Sequence, residues 1–138
     1  QRQMCIRDST YTGNQLVCSV ALENINLFKK KHLIGHIQKT SQTLKQRLEA
    51  LQPHKNIGDI RGRGLMYGVE LVENKSTQTP LDIPTVELII RRCKENGLMI
   101  RNLENVITFV PILSMSNKEI KKMVKIFNKA LRQTLGKK

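Results

Sequence analysis

Aromatic residues are scarce in this 138-residue chain, which has no tryptophan, two tyrosines and three phenylalanines. A surface that reads nucleic acid by stacking bases on rings would have little to work with. Cysteine is limited to Cys5, Cys18 and Cys93. They are odd in number, far apart and without C-x-x-C or His-paired spacing, so neither a disulfide framework nor a zinc site is supported. No apolar run approaches the roughly 20 residues that a membrane helix needs, and the first residues lack the apolar stretch and cleavage pattern of a secretory signal. The expectation is a soluble, cytoplasmic domain with no membrane association. Acidic residues are also few, 11 against 24 Lys+Arg, for a net charge of +13. That balance favours a polyanion at low salt. Yet Lys29-Lys30-Lys31 is the one tight cluster, and the other lysines spread over expected helix surfaces, as solvated faces do.

The present residues fall into periodic stretches. Residues 1–9 show no periodicity and read as an unmatched leader that need not be native. Thr10-Tyr11-Thr12-Gly13-Asn14 is turn-prone, and a helix is expected after it, with Val17, Val20, Ala21 and Phe28 on one apolar stripe and the lysine cluster at its end. Leu33, Ile37, Ser41, Leu44, Leu48 and Leu51 form a second stripe that Pro53 stops; the two stripes are compatible with one bent helix. Residues 57–72 then alternate. Leu65, Tyr67, Val69 and Leu71 share one face with period two, which predicts a strand with one packed face, approached by Gly58, Gly62, Gly64 and Gly68. The glycine spacing does not fit a dinucleotide fingerprint.

Residues 74–82 read as an exposed loop. Pro84 suits a first helical turn, Val86, Ile89, Ile90 and Cys93 give that helix a core face, and Gly97 is placed to end it. Two apolar runs, 98–101 and 106–110, suggest a hairpin. Ser116-Asn117-Lys118-Glu119 matches a capping box ahead of an amphipathic helix built on Ile120, Met123, Val124, Phe127 and Leu131. The expected fold class is α/β in two layers, a small antiparallel sheet of about three strands covered by helices.

A self-contained enzyme should present a nucleophile with a base, a metal set or paired carboxylates, and none is visible. His32 and His36 stand at i, i+4 without a second half of a metal site, and His54 reads as a loop residue. What remains is a set of anion-binding candidates, namely the Thr-Tyr-Thr-Gly turn at a helix start and arginines at strand ends.

Those residues carry a resemblance. The Thr10 to Asn14 turn resembles the T-[YF]-[SGT]-G-[HN]-P turn of class III pyridoxal-phosphate-dependent aminotransferases. Residues 57–71 are similar to that family's R-G-x-G-L-M-x-G-x-E-L segment. Gly97-Leu98-Met99-Ile100-Arg101 and the run Val106 to Leu113 are similar to its closing G-L-x-x-R and V-I-x-F-x-P-P-L pattern. Gln15 and Ile112 replace prolines of the family's turns. The resemblance covers residues 10–138 and implies the C-terminal part of a fold-type I enzyme. Residues 10–52 would be the phosphate turn and a linking helical segment, and 53–138 the C-terminal small domain.

The cofactor implied is pyridoxal 5'-phosphate. The family's cofactor-bearing lysine and pyridine-pairing aspartate precede the Thr-Tyr turn, so no catalytic residue is expected in this chain, which alone should be inactive. The resemblance makes Thr10 a ligand of the cofactor phosphate, in the family usually across a homodimer interface, and Arg101 a ligand of the substrate carboxylate; Arg61 and Arg63 are expected to be structural. Thr108 stands where ornithine-, acetylornithine- and 4-aminobutyrate-type members resemble one another in an arginine. That tilts the implied activity toward transfer from an amine or ω-amino acid to a keto acid such as pyruvate. The alternatives are a basic, non-catalytic module binding a polyanion such as nucleic acid, and a dimerisation or regulatory domain.

Overall fold

The computed structural model describes residues 13–136, which fall into two compact units, one ending at Ile34 and one beginning at Gly35. Helix α1, Gln15–Lys30, starts where the Asn14 side chain accepts the Val17 amide at 3.1 Å. It ends among Lys29 and Lys30, whose charge suits the carbonyl end. Its expected apolar stripe is not buried, since no residue of α1 is. Helix α2, Leu33–Glu49, is separate from α1 rather than a bent continuation. His32 between them has φ +46°, a left-handed value that ends a helix.

The second unit is organised by strand β2, Met66–Asn74. Residues 57–72 form not one strand but a hairpin, with β1 spanning Ile57–Arg63 and pairing antiparallel to β2. Arg63 pairs with Met66, leaving Gly64 and Leu65 as the turn, and Gly64 takes φ +62° at the position where a tight hairpin turn of the II′ kind demands glycine. The register slips between Ile57 and Asp59, so Gly58 is the extra residue of a bulge. The bulge lets Ile57 and Ile60, three apart, pair with Leu71 and Val69. Gly62 has no room for a side chain, since a Cβ there would land on the Met66 carbonyl and 2.6 Å from Tyr67 Cγ.

The expected three strands become five in the order β1-β2-β5-β4, with the short β3, Thr79–Pro80, pairing with the end of β2. Residues 74–82 are thus more than an exposed loop, and Leu81 is buried. Helix α3, Ile83–Glu95, is capped by Asp82 and carries proline in its first turn. Gly97, at φ +82°, closes it as expected, the Leu98 amide reaching the Cys93 carbonyl at 2.9 Å. The hairpin comes later than the apolar runs suggested. Strand β4 is Arg101–Leu103 and β5 is Val106–Phe109, with residues 98–100 outside the sheet. Helix α4, Asn117–Leu135, has the complete Ser116 and Glu119 capping box.

Tyr67, Val69 and Leu71 of β2 and Ile107 and Phe109 of β5 form one apolar core with Leu44 and Leu48 of α2, Val86, Ile89 and Cys93 of α3, and the buried stripe of α4. Phe109 and Phe127 meet edge to face at 5.2 Å between ring centres. Beyond the regular ladder, two buried asparagines extend the pairing of β2. The Val72 amide donates to the Asn56 carbonyl while Asn56 Nδ2 donates to the Val72 carbonyl, both at 2.9 Å. Asn105 repeats this at Leu71, at 2.9 and 2.8 Å. His54, two residues before Asn56, lies in the loop as expected, and it is buried there.

Candidate functional site

Helices cover one face of the sheet, and the candidate site lies on the other. Because the Gly58 bulge shifts the parity of β1, the exposed Asp59, Arg61 and Arg63 stand opposite Glu70, Gly68 and Met66. The pairing continues from Gly68 to Thr108 and from Thr108 to Arg101. One level of the sheet therefore reads Arg61, Gly68, Thr108, Arg101 across four strands. An open groove of about 1310 Å³ runs over this row, with apolar walls that include Met66, Leu103 and Ile112.

The arginines differ in what holds them. Arg61 Nη1 lies 2.5 Å from Glu70 Oε2 and 3.0 Å from Asp59 Oδ2. The hydrogen bonds it donates to those two carboxylates, Glu70's first, push its pKa above the ordinary guanidinium value. Arg61 is engaged within the sheet, in keeping with a structural role. Arg101 is exposed at the first residue of the edge strand β4, and among the described residues its guanidinium has no hydrogen-bond or ion-pair partner. A planar fork with free donors beside apolar walls suits a carboxylate on a carbon chain.

Thr10 lies outside the described residues. The turn that follows it is described from Gly13, which takes φ +76°, ahead of the Asn14 cap. The first turn of α1 contains no acidic residue, so its positive dipole end and the amides that the Asn14 cap leaves unused suit an anion such as a cofactor phosphate. His32 sits at the break between helices and not one turn before His36 on a common helix. His36 Nε2 lies 3.0 Å from the Met115 carbonyl, to which it donates as the carbonyl can only accept.

Two contributors were not found by periodicity. Thr108 Oγ1 donates to the Arg101 carbonyl at 3.1 Å, and Arg63 lines the groove beside the row. Placing the hairpin turn at Glu104-Asn105, where Glu104 adopts φ +52°, would have paired Thr108 with Arg101 from sequence. The apolar run at 98–101 drew the strand too early.

The family profile described as Aminotransferase class-III matches residues 3–131. The adenosylmethionine-8-amino-7-oxononanoate aminotransferase of Staphylococcus aureus is 66% identical over 94% of this chain and 28% of its own length. A crystal structure of the enzyme of that name from Methanocaldococcus jannaschii superposes with a TM-score of 0.85 at 36% identity, over 92% of this chain and 30% of its own. A thermostable omega transaminase from Pseudomonas jessenii gives 0.80 at 29% identity, over 86% and 27%. The chain thus spans less than a third of the length of these relatives. The antiparallel sheet with helices on one face is the arrangement shared with them.

Proposed function

The chain belongs to the class-III aminotransferase family, and from that premise we propose that it is the C-terminal part of an enzyme that transfers an amino group between small molecules on pyridoxal 5'-phosphate. The family match does not favour a stand-alone basic module for nucleic acid or a purely regulatory domain. Within the family, the 66% identity to the Staphylococcus aureus protein favours adenosylmethionine as amino donor and 8-amino-7-oxononanoate as acceptor. The observation that carries this reading is the Arg101 guanidinium, without a partner among the described residues, beside an apolar groove. An oxononanoate is a carboxylate at the end of a long carbon chain; the fork matches the carboxylate and the apolar groove the chain.

The cofactor, when bound, supplies the electron sink for moving a proton and an amino group. This chain's share is positioning. Thr10 and the first-turn amides of α1 would receive the phosphate, and Arg101 would hold the acceptor's carboxylate so that its ketone carbon is presented at a fixed distance. The parent enzyme is proposed to be a cytoplasmic homodimer, with the catalytic lysine upstream of this chain.

A second reading, transfer from an amine or ω-amino acid to pyruvate, is favoured by the likeness to an omega transaminase. Purified parent enzyme supplied with each substrate pair separates the two: turnover of adenosylmethionine with 8-amino-7-oxononanoate, and none of simple amines with pyruvate, is expected. Arg101→Ala should raise KM for 8-amino-7-oxononanoate by about tenfold or more, as loss of a charge-assisted pair implies. An unchanged KM would remove Arg101 from the substrate site.

A further inference from the structure

Strand β4 is three residues long and lies at the edge of the sheet, with β5 its one ladder neighbour among the described residues. Its first residue is Arg101, and the three residues before it are outside regular structure. The backbone that carries the guanidinium is therefore held from one side, at the point where the chain enters the sheet. Side chains reinforce both ends of this short strand. At the turn, Asn102 Nδ2 donates to the Glu104 carbonyl at 2.9 Å. At the entry, Thr108 Oγ1 donates to the Arg101 carbonyl at 3.1 Å, in addition to the cross-strand pairing of the same two residues.

From this we infer that Thr108 is a positioning residue for Arg101, fixing the strand entry so that the guanidinium projects over the groove in one arrangement. The inference rests on the carboxylate role proposed for Arg101. Thr108 is half-buried on the same face, and its other cross-strand neighbour in the row is Gly68, which has no side chain. Its hydroxyl is thus turned toward β4 without competition from β2. An arginine side chain has many rotamers, and binding a carboxylate with a fork requires that its root not wander, because ordering a loose donor subtracts from affinity. The hydroxyl is engaged by the Arg101 carbonyl and acts through that residue, so its loss should appear in substrate affinity rather than in turnover.

The test uses the full-length enzyme loaded with cofactor, with 8-amino-7-oxononanoate as the probe. Thr108→Val keeps shape and strand preference but removes the donor; Thr108→Ser keeps the donor. The valine variant should raise KM about fivefold with kcat within about twofold, the size of one lost neutral hydrogen bond, while the serine variant stays within about twofold of the unaltered enzyme. In an Arg101→Ala background, Thr108→Val should add nothing further, since two residues acting through one group are not additive. If the valine variant does not accumulate, Thr108→Ala with the same serine control is read in the same way. An unchanged KM in the donor-less variant, equal shifts for valine and serine, or additive effects with Arg101→Ala would each overturn the inference while leaving Arg101 in place. A KM unmoved by Arg101→Ala itself would instead overturn the carboxylate reading, and the positioning role with it.

Discussion

The thiol of Cys93 is buried on α3, and loss of water around the thiolate pushes its pKa up to about 11. Cys18 is exposed near the start of α1. The thiolate is the reacting species, so a maleimide at neutral pH should modify Cys18 within minutes and Cys93 only after denaturation, as read by peptide mapping. Modification of both at one rate would show that α3 is not packed on the sheet. Glu119 offers a second test at this scale. Its carboxylate accepts hydrogen bonds from the Ser116 hydroxyl and amide, which hold its pKa below the ordinary 4.5. A depressed folded value means a stabilisation fully present above the ordinary pKa and lost as pH falls through the folded one. Thermal unfolding of Glu119→Gln should therefore start from a lower midpoint at pH 7 and show a shallower acid limb below pH 4.5 than the unaltered chain. Parallel limbs would separate the cap from the acid dependence.

At the scale of elements, periodicity found what packing dictates and missed what pairing dictates. The face of Leu65, Tyr67, Val69 and Leu71, the start of α3 after Asp82 and the capping box of α4 were all legible, because each rests on residues close in sequence. The β1 strand was not. Its glycines mask alternation, and the Gly58 bulge breaks the period between Ile57 and Ile60. The apolar stripe of α1 was read as core although no residue of α1 is buried, since periodicity reports a face and not its partner. Within the core, Val69 is fully buried on the central strand. Val69→Asp should destabilise by about 3 kcal/mol or more, the cost of an unpaired buried carboxylate; a thermal midpoint like that of the unaltered chain would show the face assignment to be wrong. Gly62→Ala should disrupt the β1–β2 hairpin, because its Cβ meets backbone rather than a movable side chain. Retention of amide-exchange protection across β1 in that variant would contradict this.

For the whole molecule, the fold of the second unit was more legible than the site, because a core is built from many residues and a carboxylate fork from one. The resemblance places the cofactor-bearing lysine upstream of this chain. Purified 1–138 should therefore show no amino-group transfer with pyridoxal 5'-phosphate, adenosylmethionine and 8-amino-7-oxononanoate, and measurable turnover would refute the division of labour proposed here. In the parent enzyme, Thr10→Ala should weaken cofactor retention by about 1 to 2 kcal/mol, as expected for a hydrogen bond to a charged group, and added cofactor should restore much of the rate. Cofactor affinity unchanged in that variant would return Thr10 to the status of a turn residue.

The paired clasps that Asn56 and Asn105 make on β2 also bear on chemical ageing. Each asparagine presents Nδ2 to a strand carbonyl while its own carbonyl receives a strand amide. Deamidation would replace that donor by a second acceptor, setting a carboxylate oxygen against the carbonyl of Val72 or Leu71 inside a buried site. The residues that follow, Ile57 and Val106, are branched at Cβ and hinder attack by the next amide on the asparagine side chain. Storage damage should therefore accumulate first at Asn residues elsewhere. Once it reaches Asn56 or Asn105, it would release the central strand from its C-terminal end inward.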